Sequence, residues 1–158
     1  MNKLVSTVYN LILGVALGST FALAAFVAPV IFNSDLALGR NILSRFQEGL
    51  VMIEIFKRYC NLLNLTVVIV LLMEGIKFTV YRNRDYLRLG AAIVVLVSSA
   101  LFTFYFTPEI IQAQANSPDV KSSEVFQTLH RASVIDFSFI MVSLAVLMVK
   151  MSFTEKKT

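Results

Sequence analysis

Four apolar runs, near residues 4–32, 54–76, 89–108 and 131–151, fill most of this 158-residue chain. Each is close to or above the ~20 residues that a helix needs to cross the hydrocarbon layer of a bilayer. Lipid offers no partner for a peptide group, so such runs must close their hydrogen bonds internally, as α-helices do. Hydrophobic residues make up 57% of the chain and charged ones 15%, with a mean hydropathy of +0.75. That balance lies outside the range of soluble domains. The sequence therefore predicts an all-α fold: an integral membrane four-helix bundle with an amphipathic helical extension before span 2 and a long fourth helix. Residues 1–158 form one transmembrane domain, with no room for a separate soluble enzyme domain.

The net charge is +4 and the pI about 9.4. Basic residues sit mainly at the ends of the apolar runs, the pattern of membrane anchoring and not of nucleic-acid binding. Lys3, Lys77, Arg82, Arg84, Arg88, Lys150, Lys156 and Lys157 fall on one side, against Arg40, Arg45, Lys57, Arg58, Lys121 and Arg131 on the other. Eight against six, with the eight in short flanks, places both termini in the cytoplasm. The single Cys60 and single His130 supply neither an internal disulfide nor a Cys/His zinc site. Two histidines for a bis-His haem are also missing, so a metal or haem role needs ligands from a second copy. Cofactor identity stays unknown at this level.

In the first span Gly14, Gly18 and Ala22 recur every four residues and predict a seam for close helix packing. Ala22-Leu-Ala24 resembles a signal-peptide cleavage site, but the apolar run continues to Phe32, which favours retention. Pro29 bends or ends that helix. Asn33-Ser-Asp35 reads as a capped turn that starts a helix at Asp35. Residues 36–48 are amphipathic, with Leu38, Ile42, Leu43 and Phe46 on one face and Arg40, Asn41, Ser44, Arg45 and Glu48 on the other. That helix runs on into span 2, whose other edge is marked by Glu74 and Lys77. The basic link to Arg88 carries Tyr81 and Tyr86 at headgroup level. Span 3 exits at Tyr105 and Pro108, with Ser98 and Ser99 in its middle, and a polar segment follows to residue 117. Ser117-Pro118-Asp119 starts a last helix that runs from 118 to about 151, ahead of a frayed tail.

Charge enters span 2 directly. Glu54, Arg58, Asn61 and Asn64 or Thr66 recur at helical spacing and form one polar stripe. Spans 2 and 4 run in the same direction, so depths can be compared. Glu54 lies 20 residues before Glu74, and His130 lies 20 before Lys150. Arg58 is 16 residues from its edge and Asp136 is 14 from its own, a difference of about 3 Å in depth. Glu54, Arg58, Asn61, His130, Arg131 and Asp136 thus define an outer-leaflet polar layer, with Lys57 snorkelling to the headgroups. A ligand or proton site and an interhelical ion-pair clasp both fit these residues. A hydrogen-bonded His130 is favoured over a metal ligand, Cys60 reads as a small buried residue, and Met52, Met148 and Met151 read as packing rather than copper ligands. There is no phosphate-binding glycine loop and no triad spacing.

Several short stretches carry a family resemblance: Gly18 through Pro29 to Phe32, Gly39-Arg40, Phe46, Phe56 with Tyr59, and Leu129-His-Arg-Ala-Ser133. In these the chain resembles a bacterial domain-of-unknown-function family grouped with the transmembrane protein 205-like proteins. The resemblance implies a compact four-helix membrane protein without an assigned enzyme activity, and more distantly a likeness to copper-resistance-type membrane domains. The polar positions it carries over are Arg40, Tyr59, His130, Arg131 and Ser133.

These readings predict a non-enzymatic membrane protein. Its outer polar layer binds or passes a small ligand or ion, and its partners are the lipid bilayer and, through the Gly14, Gly18, Ala22 seam, a second copy or another membrane protein. The alternative is a structural or assembly subunit in which the same residues fasten the helices together.

Overall fold

The computed structural model describes residues 3–39, 42–80, 85–116 and 124–155, and all four spans are helical. Helix α1 runs from Lys3 to Phe32, and its middle, Leu23–Val27, is a π-helical turn. A short α2, Ser34–Leu38, ends on Gly39, whose φ of 67° is the left-handed conformation that glycine adopts without a Cβ clash. Helix α3 spans Arg45–Thr79. Helix α4 comprises Tyr86–Leu101, a second π-helical turn at Phe102–Phe106, and Thr107–Asn116. Helix α5 spans Glu124–Glu155.

Local chemistry explains two boundaries that differ from the sequence reading. The helix begun near Asp35 does not run into span 2: it stops at Gly39, and α3 restarts at Ser44. There the Ser44 hydroxyl accepts from the Gln47 N–H, and the Gln47 side chain accepts from the Ser44 N–H at 2.8 Å. This reciprocal capping box satisfies two amides that would otherwise be orphaned. The third long helix likewise does not stop at Pro108 but continues to Asn116. Arg40, Asn41, Tyr81, Arg82, Arg84, the Ser117-Pro118-Asp119 helix start, Lys121, Lys156 and Lys157 lie outside the described residues.

Both π-helical turns precede a proline. Pro29 and Pro108 have no N–H and their rings crowd the carbonyl four residues back. The wider turn relieves this: the Ala28 N–H bonds Leu23 O, and the Thr107 N–H bonds Phe102 O, five residues back in each case. Each helix thereby absorbs its proline without ending. π-Helical turns of this kind concentrate at functional sites.

Cross-helix contacts set the directions. Asn10 donates to Ser152 at one end of α1, and Phe32 meets His130 at the other, so α1 and α5 are antiparallel. Tyr9–Glu74 and Thr20–Tyr59 make α1 and α3 antiparallel as well. Lys150–Asp85 and Phe137–Phe102 do the same for α4 and α5. The core runs along their shared axis through Leu13, Ala16, Leu63, Val95, Ile140, Leu144 and Leu147. Outward-facing Leu11, Leu65, Leu72, Phe104, Ile135 and Phe139 form the apolar belt. At 35 and 32 residues, α3 and α5 measure about 52 and 48 Å, well beyond the ~30 Å hydrocarbon thickness. Within the small-residue seam, Gly14 faces the Met148 methyl of α5, whereas among the described residues nothing lies within 4 Å of a Cβ placed at Gly18, which is exposed.

Candidate functional site

The end of the helices that carries Tyr9, Glu74, Arg88 and Met151 is called the near end, and that of Phe32, Phe46, Gln114 and Phe126 the far end. Two polar arrangements occupy them.

At the near end Glu74 accepts three hydrogen bonds or ion pairs: from the Tyr9 hydroxyl at 3.1 Å, from Lys77 Nζ at 3.2 Å and from Arg88 Nε at 2.6 Å. Lys77 also donates to the Met151 sulfur at 2.9 Å and lies over the Tyr9 ring, 4.5 Å from its centroid. Glu74, Lys77 and Arg88 are at most 5% exposed. One carboxylate thus draws α1, α3, α4 and, through Lys77, α5 into a single dry cluster. Glu74 and Lys77, expected as markers of the membrane edge, are turned inward instead. A single-helix reading cannot show this, because the partners come from three other helices.

Beside it, Asp85 caps α4 through the Arg88 N–H and pairs with Lys150 Nζ at 3.1 Å. Burial pushes the Asp85 carboxyl upward, but the Arg88 amide, the Lys150 hydrogen bond and the positive charges of both outweigh it and hold the carboxyl below the usual range. A depressed folded value contributes stability that is present above the unfolded value of ~3.9 and is lost as pH falls through the folded one. Melting curves are expected to show an acid-side loss of Tm that Asp85→Asn reduces. The effect is small, within the ~0.2–1 kcal/mol of partly exposed pairs.

At the far end the helices part around a cavity of about 580 Å³. Its lining is aromatic and aliphatic at Leu23, Phe56, Phe102, Phe137 and Met141, and nearer the far ends of α4 and α5 it includes the polar Gln114, Gln127, His130 and Arg131 beside Ile110, Ile111 and Phe126. Both π-helical turns contribute, since Leu23 and Ala24 of one and Phe102 of the other line it, together with Ala28 and Thr107, which take their i−5 hydrogen bonds. Phe126 stacks on the His130 ring at 6.1 Å, and Phe32 meets it edge-on at 6.4 Å. Gln114 bonds the Phe46 carbonyl at 3.0 Å across the surface of Gly49. A Cβ at position 49 would overlap the Gln114 amide, so glycine is what lets this strut cross from α4 to α3.

The predicted site residues divide into three groups. His130 and Arg131 line the cavity. Glu54, Arg58 and Asn61 lie on the exposed face of α3, outside the cavity lining. Arg58 Nε pairs at 3.2 Å with Glu54, one turn away, with side chains 80% and 57% exposed, so Arg58 and Asp136, close in depth by residue count, are not brought together. Equal depth does not fix azimuth: Met52 and Ile53 share the cavity with His130, while the adjacent Glu54 points away. Asp136 is buried at the α4–α5 interface behind the cavity wall, its Oδ2 without a hydrogen-bond partner. Among the described residues no cluster of three His, Cys, Asp or Glu side chains offers a metal site.

A signal for the cavity is present in the sequence as an internal repeat. With Pro29 aligned on Pro108, Ser19-Thr20 falls on Ser98-Ser99, Leu23 on Phe102, Phe26 on Tyr105, Ala28 on Thr107 and Ile31 on Ile110. Each copy is a helix with a π turn and a proline, followed by a long helix. Because α1 and α4 run the same way, the two copies are arranged as parallel repeats about an axis along the helices. The cavity opens where the two π turns face it.

Four long apolar helices with a lipid-facing belt and a buried polar clasp define a multi-pass, all-α membrane protein. Residues 11–118 match the family described as Domain of unknown function (DUF4149), and the chain belongs to that family. The matched segment ends before α5, which supplies the His130 and Arg131 wall. No curated protein and no solved structure matches the chain.

Proposed function

We propose that this protein binds a small amphipathic molecule of the membrane in its far-end cavity, apolar part inward and an acidic or polar head toward the helix ends, without covalent chemistry. The observation that carries this reading is the mixed lining of the cavity, aromatic at Phe56, Phe102 and Phe137 and polar at Gln114, Gln127, His130 and Arg131 nearer the helix ends. Its volume of about 580 Å³ falls within the ~300–1,000 Å³ of small-molecule sites. An apolar pocket inside a bilayer gains little from the hydrophobic effect alone, since lipid is as apolar as its lining. Shape and head-group contacts must then select the occupant, and Arg131 supplies the charge for an anionic head.

The bacterial inner membrane, with both termini cytoplasmic, is the setting this reading takes, from the eight basic residues that flank the near end in sequence. The far-end cavity then opens in the outer leaflet. The clasp at Glu74 is the structural part of the molecule, and the cavity is the part that recognises.

Spin-labelled stearic acid added to the full chain in lipid nanodiscs tests the proposal. A motionally restricted component beyond that of annular lipid, displaced by unlabelled fatty acid and weakened by Arg131→Gln, is expected. Restriction equal to that of a spin-labelled phospholipid and indifferent to competitor sinks it.

A further inference from the structure

Asp136 lies in the body of α5, 10 residues from Phe126 and 17 from Phe153, about 15 and 25 Å along the helix. It is 7% exposed, and its Oδ2 has no hydrogen-bond partner. On α4 the Ser98 hydroxyl faces its carboxyl, and the adjacent Ser99, 1% exposed, also has an unpartnered hydroxyl. Asp136 Oδ2 is thus an orphaned polar atom facing α4, and Ser99 Oγ, next to Ser98 on α4, is a second one.

The surrounding helices bring no counter-charge to this level among the described residues. From α1 there is only Thr20, bonded to Tyr59 and to the Ala16 carbonyl. From α3 the inward-facing titratable side chains are Tyr59 and Cys60, the second 3.6 Å from Thr107 Oγ1. Glu54, Lys57 and Arg58 on α3 and Glu109 on α4 are exposed, and His130 and Arg131 on α5 itself line the cavity. An ionised carboxylate so placed would meet the full cost of burying an uncompensated charge.

The internal repeat sharpens the point. Ser99 corresponds to Thr20, whose hydroxyl is fully engaged, whereas Ser99 is not.

We propose that Asp136, with Ser98, is a proton-binding site inside the membrane, and that a proton, not a metal cation or a fixed counter-charge, is its ligand. The carboxyl takes up H⁺ as a neutral acid and releases it as a carboxylate when the α4–α5 interface opens. Ser133 and Phe137, one turn before and one residue after it, line the far-end cavity, so proton exchange has a route that does not cross the near-end clasp. The site itself stands whether or not the cavity holds an amphiphile.

Infrared difference spectroscopy of the full chain in nanodiscs, wild type minus Asp136→Asn at neutral pH, is the test. A protonated-carboxyl C=O stretch that moves in D2O and disappears in the variant is expected. Carboxylate stretches in its place overturn the proposal. Should Asp136→Asn not fold, Asp136→Glu must displace the same band. Thermal unfolding supplies the second readout: a folded acid that keeps its proton where the unfolded chain releases it loses stability as pH rises above the unfolded value. A falling wild-type Tm from about pH 5 to about pH 9 that is flat in Asp136→Asn supports the site, and equal slopes overturn it. A Tm rise in sodium chloride over choline chloride that Asp136→Asn abolishes would assign a metal cation and likewise overturn it.

Discussion

Glu74→Gln is expected to destabilise the folded chain by about 3–5 kcal/mol, the cost of removing one partner from a buried ion pair. The amide keeps the shape of the carboxylate but leaves Arg88, 3% exposed, without the oxygen that sits 2.6 Å from its Nε. The Tyr9 hydroxyl bond and the Lys77 pair weaken in the same step. Reversible unfolding in mixed detergent micelles measures it. A double replacement, Glu74→Gln with Arg88→Met, is expected to recover part of the loss, because the penalty arises from the orphaned charge and not from the missing attraction. A single-variant loss below ~1 kcal/mol would show the cluster to be solvated, as exposed pairs are.

Ala24→Trp is expected to lower binding of spin-labelled stearic acid by about tenfold or more, equivalent to about 1.4 kcal/mol or more. Ala24 is exposed and lines the cavity from the first π turn, so an indole there occupies ligand space without entering the core. Val15→Trp, on the outward face of the same helix at 51% exposure, serves as the control and is expected to leave binding unchanged. Equal affinities in all three proteins would detach the cavity from any binding role. A loss in both variants would instead point to a general effect on α1.

The four spans were legible because lipid imposes length and apolarity on each helix independently of its neighbours. One boundary that depends on a proline reads differently in the structure for a physical reason. Pro108 reads as a stop, yet the Phe102–Phe106 turn accommodates it and carries the helix to Asn116. Polar residues were harder still. Counting from the span edges orders side chains by depth, but which way a side chain faces depends on how a helix is rotated against its partners. Hence Arg58 pairs along its own helix, Lys77 folds inward, and Asp136 is left behind the wall that His130 and Arg131 line. The Pro29/Pro108 repeat was the available clue to the cavity, since the two prolines stand at matching positions just after the segments that form the π turns.

A π turn is one residue too many for an α-helix, and that residue has to be accommodated in angle. Each extra residue advances the following helix by about 100° relative to an uninterrupted α-helix. The Ala28–Phe32 and Thr107–Asn116 segments are therefore out of phase with the stems that carry them. The stems are keyed to the core and the near-end clasp, while the ends beyond the turns are free of that keying and present Phe32, Ile110 and Gln114 to the cavity. The two turns thus set the angle at which the far-end segments meet the cavity separately from the angle at which the stems meet the near-end clasp, and the Gln114–Phe46 bond holds the reset angle in α4.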